Sequence, residues 1–158
     1  MTIASPRKTH VDSDAALDPE TSYGLDDQPG FLLRVALKTH TTVFTANMID
    51  SLTAPQFSTL AKLKEVGPCS QNYLGRLIHY DSATITGVVN RLKNRGLIQS
   101  IVDPLDRRRV AIDLTEAGRA IANDAIAAVK KISRKTFSPL SPSEHATLTA
   151  LLKKVILR

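Results

Sequence analysis

The 158-residue sequence contains little cysteine and few aromatic residues. Cys69 is the only cysteine, tryptophan is absent, and there are three tyrosines and four phenylalanines. A single cysteine excludes an internal disulfide and a cysteine-rich zinc site. The four histidines, at positions 10, 40, 79 and 145, lack the close spacing of metal ligands. We therefore expect an aliphatic core, a reducing compartment and no metal.

Long apolar runs and common catalytic motifs are also missing. No segment is apolar over the length that a bilayer requires, and the N-terminal stretch lacks the apolar block of a signal peptide. There is no Gly-rich phosphate loop, no nucleophile elbow, no HExxH pair and no paired acid–base site. These absences predict a cytoplasmic protein that does not associate with membranes, is not an enzyme and uses no cofactor.

The charge of the chain is unevenly distributed. Residues 1–29 hold six acidic and two basic residues, a net of −4, so the total of +6 leaves +10 on residues 30–158. The acidic segment lacks hydrophobic periodicity, and we interpret residues 1–29 as a flexible N-terminal arm. The basic remainder suits a polyanionic partner, but charge alone does not distinguish DNA from RNA or an anionic membrane surface.

Apolar spacing and capping signals predict six helices. In the third, which Ser70 caps, the predicted buried set is Tyr73, Leu74, Leu77 and Ile78. The last helix carries an apolar stripe that needs a partner, either the first helix of its own chain or a second chain, and we favour a second chain. The predicted helices cover approximately residues 31–49, 53–66, 70–78, 82–95, 115–135 and 141–157.

The segment from Ser82 to Leu114 is the most informative part of the chain. Its helix has an apolar stripe at i, i+3, i+4 and i+7, formed by Ile85, Val88, Val89 and Leu92. The opposite face has no acidic and no bulky apolar residue, as expected of a surface that enters a major groove. Beyond Gly96, alternating apolar residues predict a two-stranded hairpin with an arginine-rich tip at residues 103–109. A short helix, a tight turn, this helix and the hairpin together indicate a winged helix-turn-helix.

These motifs resemble the MarR family of bacterial transcriptional regulators over approximately residues 31–157. The most specific matches are Asp103-Pro104-Leu105-Asp106-Arg107-Arg108, the later run Leu114-Thr115-Glu116-Ala117-Gly118, and the run from Ser82 to Leu92 with Arg95-Gly96-Leu97-Ile98 after it. The resemblance implies a mainly α fold with a small two- or three-stranded β wing, and a winged helix-turn-helix at residues 53–114. Residues 31–50 and 115–158 would be dimerisation helices, which makes residues 30–158 one MarR-type domain.

The resemblance also implies a function and its partners. Two chains would form a homodimer, place two recognition helices in successive major grooves of a near-palindromic operator in double-stranded DNA, and extend their wings to the minor grooves. A small molecule, often an aromatic carboxylate or phenolic compound, would lower DNA affinity. The alternatives are a sequence-tolerant architectural or RNA-binding winged-helix protein, and a redox-sensing regulator that uses Cys69.

Individual roles follow for the wing and the recognition helix. The family's wing pattern assigns Asp106 and Arg108 to bracing the hairpin and Arg107 to the minor groove, where a narrow A-T-rich groove attracts arginine. For Arg91, gripping phosphate alone is at least as good an interpretation as base contact. The predicted base-facing set is Ala83, Thr86, Gly87, Asn90 and Arg91. The predicted phosphate contacts are Ser82 and Thr84 on this helix and Ser70, Gln71, Asn72 and Arg76 on the third helix. The four residues of the third helix fit a solvated face nearly as well.

The sequence is less specific about an effector site. His40 is either a hydrogen-bonded core histidine, the interpretation we favour, or a donor to a ligand carboxylate. Phe44 lies beside it, and Arg34 and Tyr73 are further candidate contacts. For Cys69, a packed thiol is favoured over a reactive one, because the family's peroxide sensors carry their thiol in the first helix.

Overall fold

The structure, a computed structural model, describes residues 24–102 and 110–157, and the chain divides after Val35 into two compact units. In the first unit a single 3-10 turn spans Leu25–Asp27 and is followed by the start of helix α1, Pro29–Asn47. The turn and the first residue of α1 thus fall within the predicted arm, and Pro29 has the backbone angle that suits a first helical turn. Residues 1–23 of that arm lie outside the described residues.

The second unit contains the remaining helices and a two-stranded antiparallel sheet, so the predicted fold class is confirmed. A 3-10 turn at Ile49–Ser51 separates α1 from α2. The remaining elements are α2 at Ala54–Val66, α3 at Gln71–Leu77, α4 at Ser82–Asn94, β1 at Ile98–Val102, β2 at Val110–Leu114, α5 at Glu116–Thr136 and α6 at Pro142–Ile156.

Side-chain caps fix where the helices begin. Thr53 and Gln56 form a capping box at α2, and Ser141 and Glu144 form another at α6. Thr115 accepts a hydrogen bond from the Gly118 amide at the start of α5. Each cap satisfies backbone N–H groups that have no partner within the helix. The helix starts predicted from these capping motifs are therefore confirmed.

The core of the second unit is built from α2 to α5 and the two strands. The predicted stripe of α4 is confirmed, because Ile85, Val88, Val89 and Leu92 are all buried. They meet apolar side chains of the neighbouring elements, which include Leu60, Leu63, Leu74, Ile98, Ile112, Leu114, Ala122 and Ala125. This packing holds α4 with one face inward and the other turned to solvent.

The hairpin is attached to the body of the unit on two sides. Its register pairs Ile98 with Leu114 and Val102 with Val110. On the other edge of β2, the backbones of Cys69 and Ile112 exchange hydrogen bonds of 3.2 and 2.9 Å, which adds one short third rung. The tip that joins the strands, with the predicted wing residues Asp106, Arg107 and Arg108, lies outside the described residues.

A close backbone approach joins the end of α4 to the start of α5. Gly96 has a positive φ of 69°, and its carbonyl accepts a 2.6 Å hydrogen bond from the Thr115 hydroxyl. The Thr115 amide donates to the Leu97 carbonyl, and a Cβ on Gly118 would overlap that same oxygen. Glycine is thus required at position 118 for the long helix to start here.

The predicted burial of α3 is confirmed only for Leu74. Leu77 and Ile78 are half-buried, and the prediction is wrong for Tyr73, which is 44% exposed. The helix has only seven residues, so its buried face is narrow and the neighbouring tyrosine ring lies outside it.

None of the residues of α6 is buried within one chain. The apolar stripe that was predicted to need a partner is therefore not fully covered by its own chain. Across the described ranges, no helix has both the length and the apolar character needed to cross a membrane.

Candidate nucleic-acid interface

The turn between α3 and α4 is compact enough to hold the two helices as one unit. The Tyr80 amide donates to the Gly75 carbonyl at 2.9 Å, and His79 adopts a positive φ of 57°. A Cβ on Gly75 would come within 3.1 Å of Ile85 and 3.2 Å of the Tyr80 carbonyl oxygen. The small residue in α3 therefore permits close packing against α4, as a helix-turn-helix requires.

Asp81 fixes the start of α4. Its carboxylate accepts hydrogen bonds from the Thr84 amide at 2.7 Å and from the Thr84 hydroxyl at 3.0 Å. These bonds lower the pKa of Asp81, because they favour the charged carboxylate. Thr84, which we predicted to hold phosphate, thus already uses its hydroxyl proton in the cap.

The outer face of α4 carries the predicted base-facing residues together. Ala83, Asn90 and Arg91 are exposed, and Thr86 and Gly87 are half-buried. The Arg91 guanidinium lies over Gly87, since both of its terminal nitrogens would be 3.7 Å from a Cβ at that position. The surface is small, polar and free of acidic side chains, which are the properties that admit a helix to a major groove.

Two predicted contact residues are joined to each other across the helix-turn-helix. The Gln71 amide nitrogen donates to the Thr86 hydroxyl at 2.7 Å. That hydroxyl in turn donates to the Ser82 carbonyl oxygen at 2.7 Å. Gln71 was predicted as a phosphate contact and Thr86 as a base contact, and the bond that links them was not predicted.

Three other predicted phosphate contacts meet at a shallow depression between α3 and α4. Asn72, Arg76 and Ser82 line it together with Gly75, Tyr80 and Ile85, and its volume is about 230 Å³. Arg76 also lies over the Tyr73 ring, with 5.8 Å between the guanidinium carbon and the ring centroid. Ser70 caps α3 by accepting a hydrogen bond from the Tyr73 amide.

Ion pairs that the sequence analysis missed attach this surface to the rest of the unit. Arg95, at the end of α4, pairs with the Asp50 carboxylate and donates to the Asp50 carbonyl at 3.0 Å. Asp113 of β2 is buried and accepts a hydrogen bond from Arg119 of α5 at 2.5 Å. Arg95 and Asp50 are 45 residues apart, so no local pattern marks the pair.

A cavity of about 480 Å³ lies between α1 and the start of α2. His40 lines it, and its Nδ1 is 3.1 Å from the Thr136 hydroxyl oxygen. Phe44 also lines it, with 6.2 Å between the Phe44 and His40 ring centroids. The other lining residues are Leu37, Thr41, Thr45, Met48, Ser51, Leu52, Thr53, Ala54 and Pro55.

The four predicted effector residues are only partly brought together. His40 and Phe44 share the cavity wall, and the bond to Thr136 agrees with the favoured interpretation of His40 as a hydrogen-bonded core residue. Tyr73 does not line the cavity, because it points outward from α3 beneath Arg76. Arg34 belongs to the first unit, where its guanidinium lies 5.0 Å from the Phe31 ring centroid.

Cys69 has the environment of a packed thiol. It is half-buried against the core, and burial, with the negative charge of Asp113 as a second cause, raises the pKa of its thiol. A raised pKa reduces the fraction of thiolate, which is the reactive form. Among the described residues, no three His, Cys, Asp or Glu side chains are grouped closely enough to hold a metal ion.

Comparisons with known proteins agree with this geometry. The MarR family pattern matches residues 52–110. The transcriptional repressor NicR of Pseudomonas putida is 41% identical over 150 residues, which cover 94% of each chain. BpsR of Bordetella bronchiseptica, whose DNA binding is regulated by 6-hydroxynicotinic acid, is 38% identical, with a TM-score of 0.79 over 85% of this chain and 96% of that chain.

A further solved structure contains DNA. It is a variant of Escherichia coli MarR in complex with operator DNA, 26% identical, with a TM-score of 0.73 over 80% of this chain and 91% of that chain. The chain belongs to the MarR family of transcriptional regulators, because the family pattern matches its helix-turn-helix and most of its hairpin and because NicR is 41% identical over 94% of the chain.

Proposed function

We propose that this protein is a repressor that binds a near-palindromic operator as a homodimer and leaves it when a small aromatic carboxylic acid binds. The observation that carries the proposal is the outer face of α4. It presents polar and small side chains to solvent while the opposite face is locked into the core.

Base recognition rests on the chemistry of this face. Asn90 is exposed and suits a bidentate contact with adenine, and Arg91 suits guanine or phosphate. Asn72, Arg76 and Ser82 surround one depression beside α4, which suits a phosphate of the DNA backbone. Ser70 remains a secondary phosphate contact in this proposal, whereas Thr84 does not, because its amide and its hydroxyl both donate to the Asp81 carboxylate.

The wing is assigned a minor-groove role on its sequence. Arg107 is proposed to enter the groove, with Asp106 and Arg108 bracing the hairpin, as the family resemblance implies. Contacts at the described base of the hairpin support a rigid wing. Asp113 and Arg119 join β2 to α5, and the Lys93 ammonium donates to the Ser100 hydroxyl at 2.7 Å.

The dimer is proposed from the apolar surface of α6. Leu151, Val155 and Ile156 are 53%, 54% and 59% exposed in one chain. Leaving such a continuous stripe in water is unfavourable, and the same stripe on a second copy would cover it. An operator with two half-sites then follows from the two-fold symmetry of the protein.

The effector is proposed to bind in the cavity lined by His40 and Phe44. Its volume is within the range of small-molecule sites, and its lining is mainly apolar with a few polar groups. Because His40 Nδ1 faces Thr136, Nε2 is the nitrogen that we assign to the ligand carboxylate. The similarity to BpsR, whose DNA binding is regulated by 6-hydroxynicotinic acid, favours a hydroxylated pyridine carboxylate.

Competition binding tests the repressor proposal. A duplex selected by the protein from a random library should contain an inverted repeat and bind about 10³-fold or more tightly than random duplex at the same salt concentration. Equal affinity for both duplexes would instead identify a sequence-tolerant architectural protein.

Asn90→Ala tests the assignment of the reading face. We expect preference to change at one or two base pairs of each half-site, by about 1 to 3 kcal/mol per lost contact. Arg107→Ala should instead weaken binding to all duplexes, with a shallower dependence on salt and less preference for A-T-rich flanks. If Asn90→Ala lost affinity equally on selected and random DNA, Asn90 would not be a reading residue.

Titration calorimetry with 6-hydroxynicotinic acid tests the effector proposal. The compound should bind the DNA-free protein and lower operator affinity, because an effector acts through its preference for the DNA-free shape. Nicotinic acid, which lacks the hydroxyl group, is the matched control ligand. His40→Gln should weaken binding of the acid, and a variant that bound it as tightly as the wild-type protein would remove His40 from the site.

A further inference from the structure

The Thr86 hydroxyl has two hydrogen-bond partners inside the protein. It donates to the Ser82 carbonyl oxygen at 2.7 Å, one turn earlier in α4. It also accepts from the Gln71 amide nitrogen of α3 at 2.7 Å. The first distance is usual for an O–H···O hydrogen bond, the second is at the lower end of the N–H···O range, and the residue is half-buried.

These two bonds limit the hydrogen bonds that the Thr86 hydroxyl can form with a ligand. A hydroxyl has one proton to donate and two lone pairs. The proton is used on Ser82 and one lone pair on Gln71, so the group cannot donate to the acceptors that guanine, adenine and thymine display in the major groove. The γ-methyl group, the other branch of Cβ, has its orientation set because Oγ1 is held at two points.

We propose that Thr86 recognises thymine through its γ-methyl group, and that Gln71 is a positioning residue that fixes this methyl rather than a phosphate contact. The inference rests on the proposed DNA-reading role of α4. A thymine C5-methyl group is the apolar feature that base pairs display in the major groove, and apolar contact with it distinguishes thymine from the other bases.

The neighbouring residues of α4 are consistent with an apolar contact at this position. Ala83, one turn before Thr86, is exposed and carries only a methyl group. Gly87 has no side chain, and Arg91 lies over it. Thr86 and Ala83 therefore form a small apolar surface beside the hydrogen-bonding groups of Asn90 and Arg91.

Replacing thymine by deoxyuridine in the selected operator tests the proposal, because it removes the C5-methyl group and leaves base pairing unchanged. We expect the wild-type protein to lose roughly fourfold in affinity at one thymine of each half-site, the value of one buried methyl group. Thr86→Val retains a γ-methyl group and should keep this discrimination, because valine in a helix has one strongly preferred χ1 rotamer and needs no hydrogen bond to hold it. Thr86→Ser retains the hydroxyl without the methyl group and should bind the two duplexes equally.

Gln71→Met tests the positioning role with a side chain of similar length that cannot donate. It should reduce the discrimination between thymine and deoxyuridine, because the Thr86 side chain is then held only by its bond to the Ser82 carbonyl oxygen. The matched comparison is Asn72→Ala, which lacks a proposed phosphate contact next to Gln71. This variant should bind both duplexes more weakly and by the same factor, which separates positioning from a general loss of affinity.

The outcomes separate this proposal from the one on which it depends. A wild-type protein that selects an operator but binds every deoxyuridine-substituted version equally well overturns the methyl contact and leaves the repressor proposal intact. Discrimination retained by Thr86→Ser overturns it in the same way. A protein that selects no sequence overturns both, and thermal melting of each variant shows that its fold is retained.

Discussion

Helices α4 and α6 start with similar caps but differ in the burial of their apolar faces. Each begins with an acid-containing side-chain cap, Asp81 in α4 and the Ser141–Glu144 box in α6. Yet α4 buries a complete apolar stripe in its own chain, whereas no residue of α6 is buried. Local sequence thus determines that both helices form, and only tertiary contacts determine whether an apolar face is satisfied within one chain.

The contrast assigns different tasks to the two regions. The reading region, which consists of α3 and α4, can be rigid in a single chain. The turn at Gly75, the Gln71–Thr86 bond and the Arg95–Asp50 pair all hold it in place. The α6 region is incomplete by itself and is finished, in our proposal, by a second copy.

The largest effect is expected from placing charge on the exposed stripe of α6. The double substitution Leu151→Asp with Val155→Asp should yield a monomer, because two buried carboxylates would oppose pairing of the helices. Operator affinity should fall by about 10²- to 10⁴-fold, as the two half-sites no longer act together. Light scattering and operator titration measure the two effects.

Ala150→Asp is the matched control for that substitution. It adds one aspartate, half the charge of the double substitution, at an exposed position on the opposite face of α6. We expect the control to remain dimeric and to bind operator normally. A double variant that stayed dimeric at the same concentration would show that α6 is not the dimer surface.

A smaller effect is expected from truncating the stripe of α4. Leu92 is fully buried, and Leu92→Ala should lower the free energy of unfolding by about 2 to 5 kcal/mol. The same change at Leu157, which is 80% exposed, should cost about 0.5 kcal/mol or less. Urea unfolding measures both, and comparable losses for the two variants would remove the distinction between the regions.

The next effect comes from the junction of α4 and α5. Gly118→Ala should destabilise the protein by about 1 to 3 kcal/mol, because its Cβ would overlap the Leu97 carbonyl oxygen and displace the start of α5. Gly30→Ala is the control of opposite sign, since a Cβ there meets nothing within 4 Å and a helical alanine should stabilise by about 0.4 to 1 kcal/mol. Thermal melting of both variants checks the signs. A neutral Gly118→Ala would mean that α5 can shift freely.

Much of this fold was predictable because its signals are local. The capping motif at Ser141 and the stripe from Ile85 to Leu92 predicted elements that the structure contains. Gly118 was recognised only as part of a family pattern, and the structure supplies the reason, a backbone approach that leaves no room for a side chain at this position.

The unpredicted features depend on contacts between residues far apart in sequence. Strand alternation placed Asp113 opposite the apolar residues of β2, yet it is buried because Arg119 of α5 accompanies it. The Gln71–Thr86 bond and the exposure of Tyr73 likewise follow from how α3 lies on α4. No periodic pattern carries such information, so these connections within the site could not be predicted from the sequence.

The smallest effect concerns the two caps themselves. Hydrogen bonds from Thr84 lower the pKa of Asp81 below its ordinary value of 3.8, and bonds from Ser141 lower the pKa of Glu144 below 4.5. A carboxyl group whose pKa is lower in the folded state stabilises that state above its unfolded pKa. This contribution is lost as the pH falls through the folded value, so both caps should weaken only in acid below about pH 4.

The consequences of the two titrations should differ because the helices differ. Asp81→Asn keeps a capping side chain without the charge, so the stability difference from the wild-type protein should be present at neutral pH and disappear in acid. Glu144→Gln should change global unfolding less, since α6 buries no residue in one chain and its first turn opens locally. Urea unfolding from pH 3 to 7 measures the global effect, and amide exchange measures opening at Ser141 and the following turn. A pH-independent gap for Asp81→Asn would contradict the role of its charge, and equal global effects for both variants would mean that α6 is as firmly held as α4.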